Sequence, residues 1–135
     1  MKDEVALLKA KYEKFFEAIG MSVAIIEYNP HLIVTKVNEY FLDLMGLEPS
    51  DVLGKKLDEM LPEAKENPQW FKRFVDDLNK GIIRKKVTHY AFKNREAYLD
   101  EVYIPIKDEK DQMTEVICFG IDITKIKVKE NKEKQ

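Results

Sequence analysis

The sequence predicts an α+β fold: a five-stranded antiparallel sheet, helices on one face, and an N-terminal flanking helix. Three observations carry this. Five segments rich in β-branched and aromatic residues are separated by turn signals. The short helical segments inside the domain all follow the second strand, so they cover one face only. With 135 residues, 44% of them hydrophobic, the chain has room for one core of ordinary size.

Residues 4–19 read as a helix. Val5, Leu8, Tyr12, Phe15 and Ile19 recur at spacings of three and four, a heptad-like seam. The seam spans only about two heptads. It either packs on its own domain or joins a dimer interface, and both can hold. Residues 21–28 (MSVAIIEY) form a first strand, Asn29, Pro30 and His31 a turn, and residues 32–37 (LIVTKV) a second strand.

The stretch VNEYFLDLMGLEPSDVLGK, residues 37–55, then reads as strand end, short helix, glycine stop, second short helix, second glycine. Asn38 can cap a helix whose apolar positions are Phe41, Leu42 and Met45, and Gly46 can end it in a left-handed conformation. Ser50 or Asp51 can cap the next turn, with Gly54 ending it. Helices this short must sit against a sheet, where they can wall a pocket. Residues 56–61 form another short helix stopped by Pro62. Asn67 and Pro68 open a longer one with Trp70, Phe71, Phe74, Val75 and Leu78 on one face and Gly81 at its end. Three strands complete the domain at about 82–92, 97–106 and 113–123. Asn94 and Arg95 suit a tight hairpin, residues 108–111 a looser one. The charged tail KIKVKENKEKQ is either the start of a signalling helix or a solvated end.

Composition removes several function classes. A net charge of −2 argues against a general nucleic-acid binder. No apolar run approaches a membrane span, and the N-terminus lacks a signal-peptide pattern. The single cysteine, Cys118, excludes an internal disulfide and suits a reducing, cytoplasmic compartment. No catalytic pattern stands out. The glycines are too dispersed for a phosphate loop, no serine sits in a nucleophile elbow, and His31 and His89 are far apart.

Two motifs carry a resemblance. Asn38, Phe41, Gly46, Gly54 and Lys55 match the PAS family of sensory domains, and Asp122, Ile123 and Thr124 match the family's Asp-Ile-Thr signature at the passage from last strand to output helix. They stand in the expected order and separation. The resemblance covers roughly residues 20–124, with residues 1–19 a flanking helix and 125–135 a charged linker or start of a signalling helix. It implies strand order 2-1-5-4-3, and a signalling role for Asp122 and Thr124. It also implies an output module elsewhere, such as a histidine kinase, chemoreceptor, cyclase or DNA-binding region, in a two-component type of system.

Strand alternation sorts candidate pocket residues. In the last strand Val116, Cys118 and Gly120 face inward, while Ile117, Phe119 and Ile121 face out. In the fourth strand Leu99, Glu101 and Tyr103 face inward, while Tyr98, Val102 and Ile104 face out. Phe41, Met45, Phe74 and Leu78 complete the pocket from the helices. An inward carboxylate at Glu101 is expensive without a partner such as Tyr103 or a ligand. A bulge that leaves Glu101 at an exposed rim is the cheaper expectation. In the third strand either Val87, His89 and Ala91 face in, or Thr88, Tyr90 and Phe92 do. The apolar outer face needs a cover, which points to a homodimer using Leu8, Tyr12, Phe15, Ile19, Phe119 and Ile121.

The family's cofactors can be weighed against these residues. Light-sensing flavin domains carry an Asn-Cys-Arg motif before the third strand and a glutamine at the position of Gly120; this chain has neither. Thioester chromophores need a loop cysteine, and residues 67–80 hold no histidine for haem. His89 is left as a haem candidate, and redox flavin binding stays open with Trp70. The expectation is a colourless sensory PAS module with no cofactor as purified. It binds a small apolar or amphipathic ligand, or serves as a ligand-free dimerisation or docking module. A haem or flavin sensor ranks below both.

Overall fold

A computed structural model of the protein describes residues 2–93 and 95–133. The chain runs α1 (Lys2–Ile19), β1 (Ala24–Tyr28), β2 (Val34–Val37), α2 (Glu39–Met45), a 3-10 turn (Pro49–Asp51), α3 (Leu57–Met60), α4 (Glu63–Glu66), α5 (Pro68–Asn79), β3 (Arg84–Phe92), β4 (Arg95–Lys107), β5 (Met113–Asp122) and α6 (Thr124–Glu133). The strands form one antiparallel sheet in the order β2-β1-β5-β4-β3. Both the five-stranded architecture and its order agree with the sequence reading.

Asn38 organises the first helical crossing. Its side-chain oxygen accepts from Phe41 N at 3.2 Å, capping α2, and from Ile25 N at 3.0 Å. Its amide donates to Val23 O at 2.9 Å and to Gly20 O at 3.3 Å. Gly46 closes α2 with φ of 66°, returning its N–H to Asp43 and Leu42 carbonyls. The next turn differs from the expected capping. Asp51 lies inside it and accepts from Glu48 N at 2.9 Å, so neither Ser50 nor Asp51 is the cap residue. That backbone N–H, and then Lys93, hold the Asp51 carboxyl below the ordinary range. Asn67 caps α5 by accepting from Trp70 N at 3.1 Å. The four residues of α4 form a turn where the sequence reading had none. The tail is helical from Thr124 to Glu133, and none of its residues is buried. The hairpin expected at Asn94 and Arg95 falls partly outside the described residues, because Asn94 does.

The helices α2 to α5 lie on one face of the sheet, and the core sits between them. Phe41, Met45, Val52, Leu57, Leu61, Phe74 and Leu78 close onto Ile26, Tyr28, Tyr90, Leu99, Tyr103 and Cys118. Side chains from Asp3 to Ala18 on α1 are all exposed. The opposite sheet face presents Val102, Ile104, Ile117 and Phe119, half-buried, and Ile121, exposed.

Candidate functional site

Strand alternation places a carboxylate in the middle of this core. Glu101, only 1% exposed, stands on β4 opposite Gly120 of β5. A Cβ at position 120 would come within 3.0 Å of Glu101 Cγ and 3.2 Å of Leu99 Cβ, so the glycine makes the room the carboxylate occupies. The expected rim placement is therefore wrong. No bulge interrupts β4 at Glu101, and its side chain points into the core.

The cost of burial is met by four donors. Thr88 Oγ1 donates to Oε1 at 2.5 Å and Tyr103 Oη at 2.8 Å. Tyr90 Oη donates to Oε2 at 2.6 Å and Cys118 Sγ at 3.4 Å. A fully hydrogen-bonded buried carboxylate is tolerable where a bare one is not. Burial nevertheless raises the Glu101 carboxyl above its ordinary value, against the lowering by its donors from Thr88, Tyr90, Tyr103 and Cys118. Burial, reinforced by the nearby acid and thiol, pushes the Tyr28, Tyr90 and Tyr103 hydroxyls and the Cys118 thiol up, so all four hold their protons.

Two further groups attach to this cluster. Lys86, its side chain 10% exposed, donates to Thr88 Oγ1 at 2.6 Å and to Glu63 Oε1 at 3.0 Å. Its ammonium also lies 5.7 Å from the Trp70 ring centroid. A chain of polar contacts thus runs from α4 at the surface to the core. Tyr28 Oη, fully buried, has no hydrogen-bond partner among the described residues. Aromatic rings frame the cluster: Phe41 meets Tyr90 edge-on at 5.4 Å and Phe74 meets Tyr103 edge-on at 5.0 Å, with Trp70 stacked on Phe74.

The expected pocket residues divide accordingly. Phe41, Met45, Phe74, Leu78, Leu99, Glu101, Tyr103 and Cys118 converge on the core, and Gly120 backs it. His89 does not. On β3 it is Thr88 and Tyr90 that point inward. His89 lies on the outer face, stacked on Tyr98 at 4.2 Å and bonded to Glu96 Oε2 at 3.0 Å. It cannot ligate a haem in the core. No group of three or more potential metal ligands occurs among the described residues. Tyr28, Lys86 and Glu63 belong to the cluster and were not anticipated. The alternation Ala24, Ile26, Tyr28 signals the first, Lys86 shares the parity of Thr88, and nothing local signals Glu63.

A second concavity lies on the other side of the sheet. A cleft of about 1000 Å³ separates α1 from the outer face, lined by Val5, Leu8, Tyr12 and Phe16 above and Ile25 and Ile117 below. Phe16 takes the place that the seam assigned to Phe15, which turns away from the cleft. At the far end of β5, Asp122 Oδ1 accepts from Thr124 N at 3.0 Å and from the Thr124 hydroxyl. Thr124 Oγ1 in turn accepts from Tyr98 N at 3.0 Å, tying the start of α6 to β4.

A family model for the PAS domain matches residues 22–125. The chain belongs to the PAS family. Among characterised proteins it resembles the biofilm dispersion protein BdlA of Pseudomonas aeruginosa, 26% identical over 110 residues. That match covers 81% of this chain and 26% of BdlA, so the chain spans about a quarter of that relative's length. The solved PAS domain of a Colwellia psychrerythraea protein superposes with a TM-score of 0.68 at 17% identity, covering 87% of this chain and 98% of that one. An RNA-binding light-oxygen-voltage receptor gives 0.69 at 18% identity, covering 88% and 34%. The Rhodobacter sphaeroides LOV protein gives 0.65 at 18%, covering 85% and 68%. At these identities the structures share the PAS fold, and no helix among the described residues is long and apolar enough to cross a membrane.

Proposed function

We propose that this chain is the non-catalytic sensory module of a larger cytoplasmic signalling protein. In this reading its core binds a small amphipathic molecule, and occupancy changes the geometry of a homodimer whose helices lead to an output module, for example a histidine kinase or chemoreceptor region. The observation that carries the reading is the buried cluster of Glu101, Thr88, Tyr90, Tyr103 and Cys118, in the same core as an unpartnered Tyr28 hydroxyl. A module that only held two chains together would gain stability from an apolar core of the same shape. A few polar groups converging among aromatic walls are what a ligand site needs. The exposed apolar side chains Leu8, Tyr12 and Phe15 of α1, with Phe119 and Ile121 on the outer face, support the dimer.

A ligand-free docking module is the second reading, favoured by Phe41, Met45, Phe74 and Leu78 filling the core. Native mass spectrometry of the purified protein separates the two. A retained small molecule, or one that transfers from cell extract and perturbs the core tyrosine signals, supports the sensor. If no extract fraction changes mass or spectrum, the ligand-binding half is wrong. Sedimentation addresses the dimer, and a monomer at high micromolar concentration removes it.

A further inference from the structure

We infer that the core takes a small protonated alkylamine, held by Glu101 and the Tyr28 hydroxyl. This rests on the core-binding reading above and specifies its chemistry.

Charge is the first argument. Every element facing Glu101 contributes a neutral group: Tyr28 from β1, Thr88 and Tyr90 from β3, Tyr103 from β4 itself and Cys118 from β5. Lys86 reaches the carboxylate only through Thr88, and its charge is already met by Glu63. With Glu101 ionised the cluster is a site of negative charge in a low-dielectric interior, which repels an anion; a cation beside it favours that ionised form against the burial that raises the carboxyl.

Hydrogen-bond polarity is the second. An ammonium is three donors and no acceptor. Each tyrosine oxygen that donates to Glu101 keeps lone pairs, and Tyr28 Oη has all of its capacity unused. An incoming carbonyl or carboxylate would have to take donors away from Glu101. An ammonium takes the free lone pairs of Tyr28 Oη and the other tyrosine oxygens, while Glu101 keeps its four donors and complements the charge.

Local precedent is the third. Lys86 Nζ is itself an alkylammonium bound by a carboxylate, a hydroxyl and the Val87 carbonyl at 3.3 Å, beside the Trp70 ring. The same chemistry lies one hydrogen bond further in, with Phe41, Phe74 and Met45 available to cover an alkyl chain. Ring faces near a desolvated ammonium add cation–π attraction, and the adaptable Met45 side chain is suited to yield the space.

The test is thermal unfolding and tyrosine-region NMR of the full chain with n-butylamine, n-butanol or butyrate at constant ionic strength. Butylamine is expected to raise Tm and shift the Tyr28, Tyr90 and Tyr103 signals, with butanol and butyrate weaker by tenfold or more. Glu101→Gln should abolish the butylamine effect. Tyr28→Phe, which keeps the packing, should fold as well as the parent and bind butylamine several-fold more weakly. Equal responses to all three compounds, or an undiminished butylamine response in either variant, overturn the inference. A neutral or anionic compound that alone moves the core signals also overturns it, while leaving core binding standing. Silence from every compound, cell extract included, removes both.

Discussion

Glu101→Gln should flatten the pH dependence of stability. Burial raises the native Glu101 carboxyl above its ordinary value of 4.5, so the folded chain holds that proton more tightly than the unfolded one. Its stabilising contribution is therefore full below about pH 4.5 and is lost as pH rises through the higher native value. The slope in that window is at most about 1.4 kcal/mol per pH unit for one proton. Glutamine matches the protonated acid in size and keeps one oxygen for the Thr88 and Tyr103 hydroxyls, so at low pH the two proteins should agree within about 1 kcal/mol. Above the window the parent should be the weaker, because it alone still buries a charge. Urea unfolding at pH 4 to 8 measures the difference between parent and variant. Glu27, also raised chiefly by burial, is common to both chains and cancels. Parallel stability curves across this range would show that Glu101 does not change its protonation on folding, and the burial argument would be refuted.

Other consequences can be checked on the same preparation. Asn38→Ala removes an α2 cap and strands the Ile25 amide, and should cost about 2–4 kcal/mol in urea unfolding; a loss below about 1 kcal/mol contradicts the joint role. Asp122→Ala and Thr124→Ala each remove a link at the start of α6, worth about 1 kcal/mol. In a fusion to a reporter kinase through the native tail, both should fold yet weaken ligand-dependent regulation, and normal regulation in both would rule out the coupling. Tyr12→Glu with Phe15→Glu places charges at two exposed apolar positions of α1 and should yield a monomer by sedimentation, with the core signals unmoved; an intact dimer would place the interface elsewhere.

Much of this architecture is legible in local pattern. Alternation alone sorts Leu99 and Tyr103 inward on β4 and Val116 and Cys118 inward on β5, because one side of each strand must meet the core. Where both faces of a strand carry apolar residues the rule has no purchase. On β3, Val87 and Ala91 compete with Tyr90 and Phe92, and the sheet resolves it by aiming Thr88 and Tyr90 at Glu101 and leaving His89 against Tyr98. Glu101 itself is misjudged for a related reason. Its cost is readable from one position, but its compensation comes from Thr88, Tyr90 and Cys118 on two other strands as well as from Tyr103. No local window contains that information. The short α4 escapes because Pro62 reads as a stop, and with it goes Glu63, the outer partner of Lys86.

Asn38 touches the end of α1, the first strand and the start of α2 through one side chain. This makes it a hinge pin shared by a long arm and a short one. The 18 residues of α1 reach about 27 Å at ~1.5 Å per residue, while α2 is only 7 residues long. A tilt of about 5° passed through the pin swings the far end of α1 by roughly 2 Å, given that length. Displacements near Phe41 and Met45 too small to disturb the packing of the domain would thus arrive, magnified, at the distant end of α1.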